Sequence, residues 1–246
     1  MTAEGKSRRR PVSRLLLSSA AWPLLGGLTA VLCILAEAQE AKDITTIVAE
    51  VNRYQERARR LVQNLRVVQL VVQQSGDEER KEQAVVIYHP PEDPKRDVQW
   101  SNIGHPTNSF PLKHLIGFPL QGTDYKVLLM GTETVRGHAT YKLQLKPLAS
   151  DEKRIDGFLW VSTSDYGPVR VEGDLANPPF PIKSLKMAWD YEPDLSGHEP
   201  GLSGLWMLKR DSTAAVAKIL FKTIKGQSVA SYDHFEMNVD LADKGP

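Results

Sequence analysis

The chain has 246 residues, and its 31 lysine and arginine residues against 30 aspartate and glutamate residues give a net charge of +1. This balance offers no electrostatic case for binding nucleic acid, and the length fits one large β-rich domain or two small ones. Cys33 is the only cysteine and lies near the N-terminus, which excludes thiol catalysis and cysteine-ligated metals for the rest of the chain.

Residues 1–38 have the features of an export signal. A basic head with three arginines at positions 8–10 precedes a largely apolar run at 15–35, and Ala36-Glu37-Ala38 fits a small-x-small cleavage site. The apolar run is also close to the length of an uncleaved transmembrane anchor. We therefore expect 1–38 to be a signal peptide or an N-terminal anchor, and 39–246 to be the exported domain.

The exported part is close to electroneutral and large enough for a core of its own. Without residues 1–38, 26 basic residues stand against 28 acidic ones, a net charge of about −2. A domain of about 208 residues can bury enough apolar surface to fold without disulfides.

Residues 44–62 are predicted to form an amphipathic helix, with Asp43 placed to cap its start. Four arginines lie largely off the apolar stripe, so the stripe must pack against another element. A second, short helix is predicted at 112–118, before Pro119. The apolar stripe follows spacings of three and four residues: Ile44, Ile47, Val48, Val51, Tyr54 and Ala58.

From residue 65 onward the apolar period changes to two, which predicts strands. Short connections with turn residues, such as Ser75-Gly76-Asp77-Glu78, indicate antiparallel pairing. The segment 194–203 is predicted to be a mobile loop. Eleven strands are predicted, at 65–74, 83–89, 96–101, 125–133, 138–146, 157–163, 169–173, 183–191, 204–209, 217–223 and 229–239.

So many strands with two helices predict a mainly β (α+β) fold. Eleven strands exceed what a flat open sheet comfortably holds. We therefore expect a single strongly curved antiparallel sheet that forms an incomplete barrel, covered by the long N-terminal helix and the short helix. With only two helices to fill it, the inside of this barrel is expected to be partly hollow.

The sequence shows no catalytic or metal-binding constellation. None of the six histidines has a partner at the i, i+4 spacing of a helical zinc site, and they are predicted to be solvated loop residues. There is no Gly-x-Ser-x-Gly and no phosphate-binding glycine loop. We expect a protein that is not an enzyme, with no cofactor, no catalytic residue and no metal ligand.

Apolar side chains instead recur on one face of several strands. Each one alone is typical of a core residue, but on a concave sheet the set predicts a binding surface. An acyl chain fits it because it demands apolar area and no particular polar partner. In 157–161 both faces are apolar, so Leu159 and Val161 remain the alternative to Phe158 and Trp160. The predicted lining is Tyr141, Leu143, Leu145, Phe158, Trp160, Val169, Val171, Leu185, Met187, Trp189, Ile219 and Phe221.

Three of these segments carry a family resemblance. Residues 137–147 (GHATYKLQLKP), 158–161 (FLWV) and 167–172 (GPVRVE) follow an exported leader and a helix. In this order they resemble the periplasmic lipoprotein carriers, the LolA/LolB-like outer-membrane lipoprotein-sorting proteins. In that family a Gly-x-x-x-Tyr-x-Leu-x-Leu-x-Pro strand precedes a Leu-Trp-Val strand and a Pro-x-Arg strand. The resemblance covers about 44–238.

The resemblance implies an incomplete barrel closed by helices, whose cavity receives the acyl chains of lipoproteins. It implies a periplasmic location, anchored to the inner membrane if the leader is not cleaved, and partners in inner- or outer-membrane transport. The family's Arg-Trp pair after a proline is only approximated by 94–100 (PKRDVQW). Two alternatives therefore stay open: an RseB-like envelope sensor, and a protein-interaction module without a lipid cavity.

Overall fold

The computed structural model describes residues 43–90, 92–104, 110–120, 124–149, 154–194 and 202–239. All of them belong to the second of two units into which the chain divides, 1–41 and 42–246. The predicted leader lies outside the described residues, and so does most of the predicted loop at 194–203.

The predicted long helix is confirmed as α1, Ile44–Leu61. Its apolar stripe is the face that becomes buried, through Ile47, Val51 and Tyr54 among others. Asp43 occupies the N-cap position, but its side chain makes no capping hydrogen bond. No helix in the described part of the chain is long and apolar enough to cross a membrane.

After α1 the described residues form ten antiparallel strands, and the predicted fold class is confirmed. In sheet order they run β3-β2-β1-β10-β9-β8-β7-β6-β5-β4, so β3 and β4 are unpaired edges and the barrel is incomplete. The strands are β1 Leu65–Ser75, β2 Glu78–Tyr88, β3 Lys95–Ser101, β4 Tyr125–Val135, β5 His138–Pro147, β6 Ile155–Ser162, β7 Pro168–Leu175, β8 Ile182–Pro193, β9 Trp206–Ile219 and β10 Lys222–Met237.

Two sequence predictions of secondary structure are wrong in detail. The predicted strand at 217–223 spans the turn between β9 and β10, because β9 runs without a break from 206 to 219. Ala217, Ile219 and Phe221 lie at a period of two beside Lys218 and Lys222, although Leu220 interrupts the polar side, and such a pattern does not reveal where a strand reverses. The predicted helix at 112–118 is a short 3-10 helix, Phe110–His114, followed by irregular chain.

One face of the sheet, here called the inner face, packs against α1 and residues 110–120, which together form the cover. The Trp206 backbone N–H donates to the Tyr54 hydroxyl at 2.7 Å, and the Leu208 backbone N–H donates to the Leu115 carbonyl at 2.9 Å. Within the cover, the Leu120 backbone N–H donates to Asn52 Oδ1 at 3.2 Å. The main hydrophobic core lies between the cover and the inner face.

Candidate functional site

The inner face of β5 to β8 is a continuous apolar surface. Leu143, Leu159, Val171 and Trp189 are direct neighbours across these four strands, and each is at most 1% exposed. Residues two positions before and after them on each strand point the same way. We call this surface the apolar floor: Tyr141, Leu143, Leu145, Leu159, Val161, Val169, Val171, Leu185, Met187 and Trp189.

Eight of the twelve predicted lining residues lie on the apolar floor, and all eight are buried. Leu159 and Val161 complete it, so the structure selects the alternative pair in 157–161. The face is covered by the chain itself, whereas a partly hollow interior was expected. The eight are Tyr141, Leu143, Leu145, Val169, Val171, Leu185, Met187 and Trp189.

Phe158 and Trp160 lie on the outer face instead of lining the interior. Trp160 is paired with Lys142 across the sheet, and its Nε1–H donates to the Glu133 carboxylate. Lys142 Nζ lies 4.9 Å and 5.1 Å from the centroids of the two rings. The rings are thus shielded from water by long polar side chains, which explains why this strand is apolar on both faces.

Ile219 and Phe221 also lie away from the apolar floor. Ile219 is the last residue of β9, and Phe221 is in the turn before β10. Ile219 is half-exposed and Phe221 is fully exposed. The prediction placed both residues inside because it extended the alternating pattern through the turn.

The buried face of α1 carries a polar side chain that the sequence pattern missed. Gln55 is buried, and its Nε2 has no hydrogen-bond partner among the described residues. The amide lies against the backbone of Gly117, which has φ 138°; a Cβ at that position would come within 2.2 Å of Gln55 Nε2. A buried amide nitrogen without a partner costs about 1–3 kcal/mol.

A second buried polar group without a partner lies on the sheet side of the interface between cover and sheet. The Tyr191 hydroxyl is buried and has no hydrogen-bond partner in the described part of the chain. Burial raises the pKa of Tyr191 well above its ordinary value, and the nearby Asp211 carboxyl raises it further. The cover is therefore held less tightly than an entirely apolar interface would hold it.

His114 belongs to the cover and is not a solvated loop residue, which corrects the prediction. Its ring stacks on Trp189 at a centroid distance of 4.8 Å and on Phe118 at 5.2 Å, and its Nδ1 is buried. Burial lowers the pKa of His114 to about 4 because it disfavours the cation. The ring therefore packs as a neutral aromatic group at neutral pH.

Beyond β8 the inner face holds a chain of buried polar side chains among apolar residues such as Val67, Val71 and Val86. The Tyr232 hydroxyl donates to Asp211 Oδ2 at 2.6 Å, and Gln69 Nε2 donates to the Tyr232 oxygen at 3.0 Å. Arg96 Nε donates to Gln69 Oε1 at 2.9 Å, and its Nη2 binds the Glu82 carboxylate. Burial raises the pKa of Asp211 to about 6. We call these five residues the polar chain.

No group of three potential metal ligands occurs among the described residues. The arrangement therefore provides an apolar surface under a cover of the protein's own chain, beside a polar chain whose members bond to one another.

No family model and no curated protein matches the sequence. Similar solved structures include a DUF1329 family protein from Desulfovibrio piger, with 13% identity, 81% of this chain and 95% of that chain covered, and a TM-score of 0.46. A LolA superfamily protein from Nitrosomonas europaea has 15% identity, 79% and 96% coverage, and a TM-score of 0.37. Lipoprotein LppX from Mycobacterium tuberculosis has 11% identity, 80% and 99% coverage, and a TM-score of 0.28.

One of these structures is a LolA superfamily protein, and all three TM-scores are below 0.5.

Proposed function

We propose that the protein is a non-catalytic, exported carrier that binds acyl chains of lipids or lipoproteins on the apolar floor. The observation that supports this most is the floor itself, ten apolar side chains that are contiguous over four strands. A saturated chain needs only such an area, and its burial contributes about 0.8 kcal/mol per methylene.

Binding requires the cover to move, because the floor is buried beneath it. The unsatisfied Gln55 Nε2 and Tyr191 hydroxyl both lie in the interface between cover and sheet. When the cover lifts, both groups gain access to water, so the cost of opening is reduced by their solvation. The acyl chain then replaces the apolar contacts that the cover gave up.

The location and partners proposed here follow from the leader and the sequence resemblance. We propose that residues 1–38 act as an export signal that directs the domain to the periplasm, or as an anchor that keeps it attached to the inner membrane. A carrier in that compartment receives its cargo from one membrane and delivers it to a partner at the other, as part of outer-membrane lipoprotein sorting.

The test is to close the cover more tightly with Gln55→Met. Methionine keeps the length of the side chain and removes its amide, so the closed form is stabilised by about 1–3 kcal/mol. If binding requires opening, the dissociation constant for a fluorescent fatty acid rises by about tenfold or more while the protein becomes more stable.

Gln63→Met is the matched control, since the Gln63 side chain is exposed just beyond α1. It should change stability by less than about 0.5 kcal/mol and leave fatty-acid binding unchanged. A gain of stability in Gln55→Met with unaltered fatty-acid affinity would show that the cover does not gate binding.

The covered floor also favours a second candidate, an envelope sensor or interaction module whose interior stays closed. The two candidates differ in one measurement. If the protein is a sensor or interaction module with a closed interior, the wild-type protein binds no fatty acid at any concentration at which it remains folded.

A further inference from the structure

The turn between β9 and β10 exposes large apolar side chains. Ile219 pairs with Lys222, so Leu220 and Phe221 form a two-residue turn, and they are 84% and 101% exposed. Such turns favour glycine and asparagine because they require positive φ, yet Leu220 holds φ at 53°. Within the hairpin these two side chains bury almost no area, so their apolar surface is free for an external contact.

Phe180 extends this surface from the segment before β8. It is 90% exposed and precedes Pro181, whose carbonyl accepts a hydrogen bond of 3.1 Å from the Lys218 backbone N–H. Phe180 therefore lies beside the end of the hairpin. We call the exposed apolar residues at this end of the sheet the apolar tip: Phe180, Ile219, Leu220, Phe221 and Ile224.

The tip reaches beyond the adjoining strand. The pairing of β10 with β1 ends at Gln227 and Gln74, whereas the pairing of β10 with β9 continues to Lys222 and Ile219. The last turn of the hairpin thus extends past the end of the β1 ladder. It presents a narrow protrusion and not a broad flat surface.

The surroundings of the tip are basic. No acidic residue occurs between Asp211 and Asp233, or between Asp174 and Asp190. On the adjoining hairpin, Glu78 and Glu79 are ion-paired with Arg80 and Lys81 at 2.8 Å and 2.9 Å, which leaves Asp77 in its turn as one acidic side chain against the lysines of the tip. Four exposed lysines rim the tip and form no ion pair with any described residue: Lys183, Lys218, Lys222 and Lys225.

We propose that the apolar tip docks the protein on an anionic phospholipid surface. The aliphatic and aromatic side chains enter the boundary between headgroups and acyl chains, and the lysines contact lipid phosphates. A narrow protrusion suits a lipid surface better than a protein partner, since a stable protein interface needs about 800 Å² from each side. This docking goes beyond acyl binding on the floor and does not depend on it.

The test needs a readout at the tip, because the apolar run at 15–35 can itself bind lipid. In the full chain with Cys33→Ser, Thr223→Cys carries an environment-sensitive fluorophore. Vesicles of phosphatidylglycerol and phosphatidylcholine in equal parts should shift its emission to the blue. Vesicles of phosphatidylcholine alone should shift it far less.

Replacing the turn residues gives the decisive variant. Leu220→Asn with Phe221→Gly introduces the turn sequence that two-residue hairpins prefer, so the fold is retained or strengthened. The blue shift should disappear, while fatty-acid binding on the floor stays unchanged. Changing Lys218, Lys222 and Lys225 to glutamine should raise the lipid concentration for half-maximal shift by about tenfold or more.

Three outcomes would overturn the proposal. One is the absence of a blue shift with anionic vesicles in the parent protein. Another is an equal shift in the Asn-Gly variant. The third is a shift that rises with protein concentration without vesicles, which would assign the tip to contact with a second copy of the chain.

Discussion

The inner face differs between two regions of one continuous sheet: on β5 to β8 it is apolar throughout, whereas beyond β8 it holds the polar chain among apolar residues such as Val67 and Val86. One cross-strand row runs through Leu143, Leu159, Val171 and Trp189 on β5 to β8, and the next member, on β9, is Asp211. The change from apolar floor to polar chain occurs in a single step between two paired residues.

This difference separates a surface that needs a partner from one that does not. The members of the polar chain bond to one another, so these polar groups are satisfied within the fold. The apolar floor needs only contact area, which the cover supplies in this structure and which an acyl chain can supply equally well. The sheet thus offers exchangeable contacts on the apolar floor and fixed contacts in the polar chain.

The largest expected effect comes from removing the ring at the centre of the floor. Trp189→Ala should lower the free energy of unfolding by about 3–5 kcal/mol, because it leaves a cavity under His114 and Phe118. Chemical denaturation measures the change. Trp100→Ala is the control: Trp100 is half-exposed on edge strand β3, and its loss should cost less than about 1 kcal/mol.

An equal loss in the two tryptophan variants would mean that the floor is not the main core.

Acidification should weaken the covered half through His114. Its folded pKa of about 4 is below the unfolded value near 6.5, so its contribution is complete above pH 6.5 and is lost as the pH falls towards 4. Relative to His114→Phe, the wild type should lose about 3 kcal/mol of stability between pH 7 and pH 4. If the free energies of unfolding of the wild type and of His114→Phe change in parallel between pH 7 and pH 4, burial of neutral His114 is contradicted.

Acidification should have the opposite effect on the polar chain through Asp211. Its folded pKa of about 6 is above the unfolded value near 3.8, so its contribution is complete below pH 4 and is lost as the pH rises through 6. Asp211→Asn should therefore be about 2–3 kcal/mol more stable than the wild type at pH 8, with no gain at pH 4.

Asp233→Asn serves as the control for Asp211→Asn because Asp233 is exposed on the same strand, β10, as Tyr232. It should show no such pH dependence. If Asp211→Asn is less stable than the wild type at pH 8, the charged form of Asp211 is the one that the polar chain requires.

The sequence predicted correctly those features of the fold that follow from the periodic spacing of apolar residues. The helix at Ile44–Leu61, the alternation of β5 and β8, and eight floor residues follow from periods of 3.6 and 2. The open curved sheet followed from the number of strands against the number of helices.

What the sequence missed depends on contacts between distant residues. Alternation cannot tell which face of 157–161 is inward; the pairing of Lys142 with Trp160 decides it. Alternation also cannot show that the His114 ring stacks on Trp189, 75 positions away in the chain, or that the Gln55 side chain packs against the Gly117 backbone. The turn at Leu220 and Phe221 was missed because it lacks the glycine or asparagine that usually marks a two-residue turn.

Photo-crosslinking tests the central claim most directly. A fatty acid with a diazirine near the end of its chain is bound to the purified wild-type protein and irradiated, and the modified residues are located by mass spectrometry. Labels on the apolar floor, around Leu143, Val171 and Trp189, are the predicted result. Labels confined to the outer face or to the inner face around the polar chain, near Gln69 and Glu82, would contradict acyl binding on the floor.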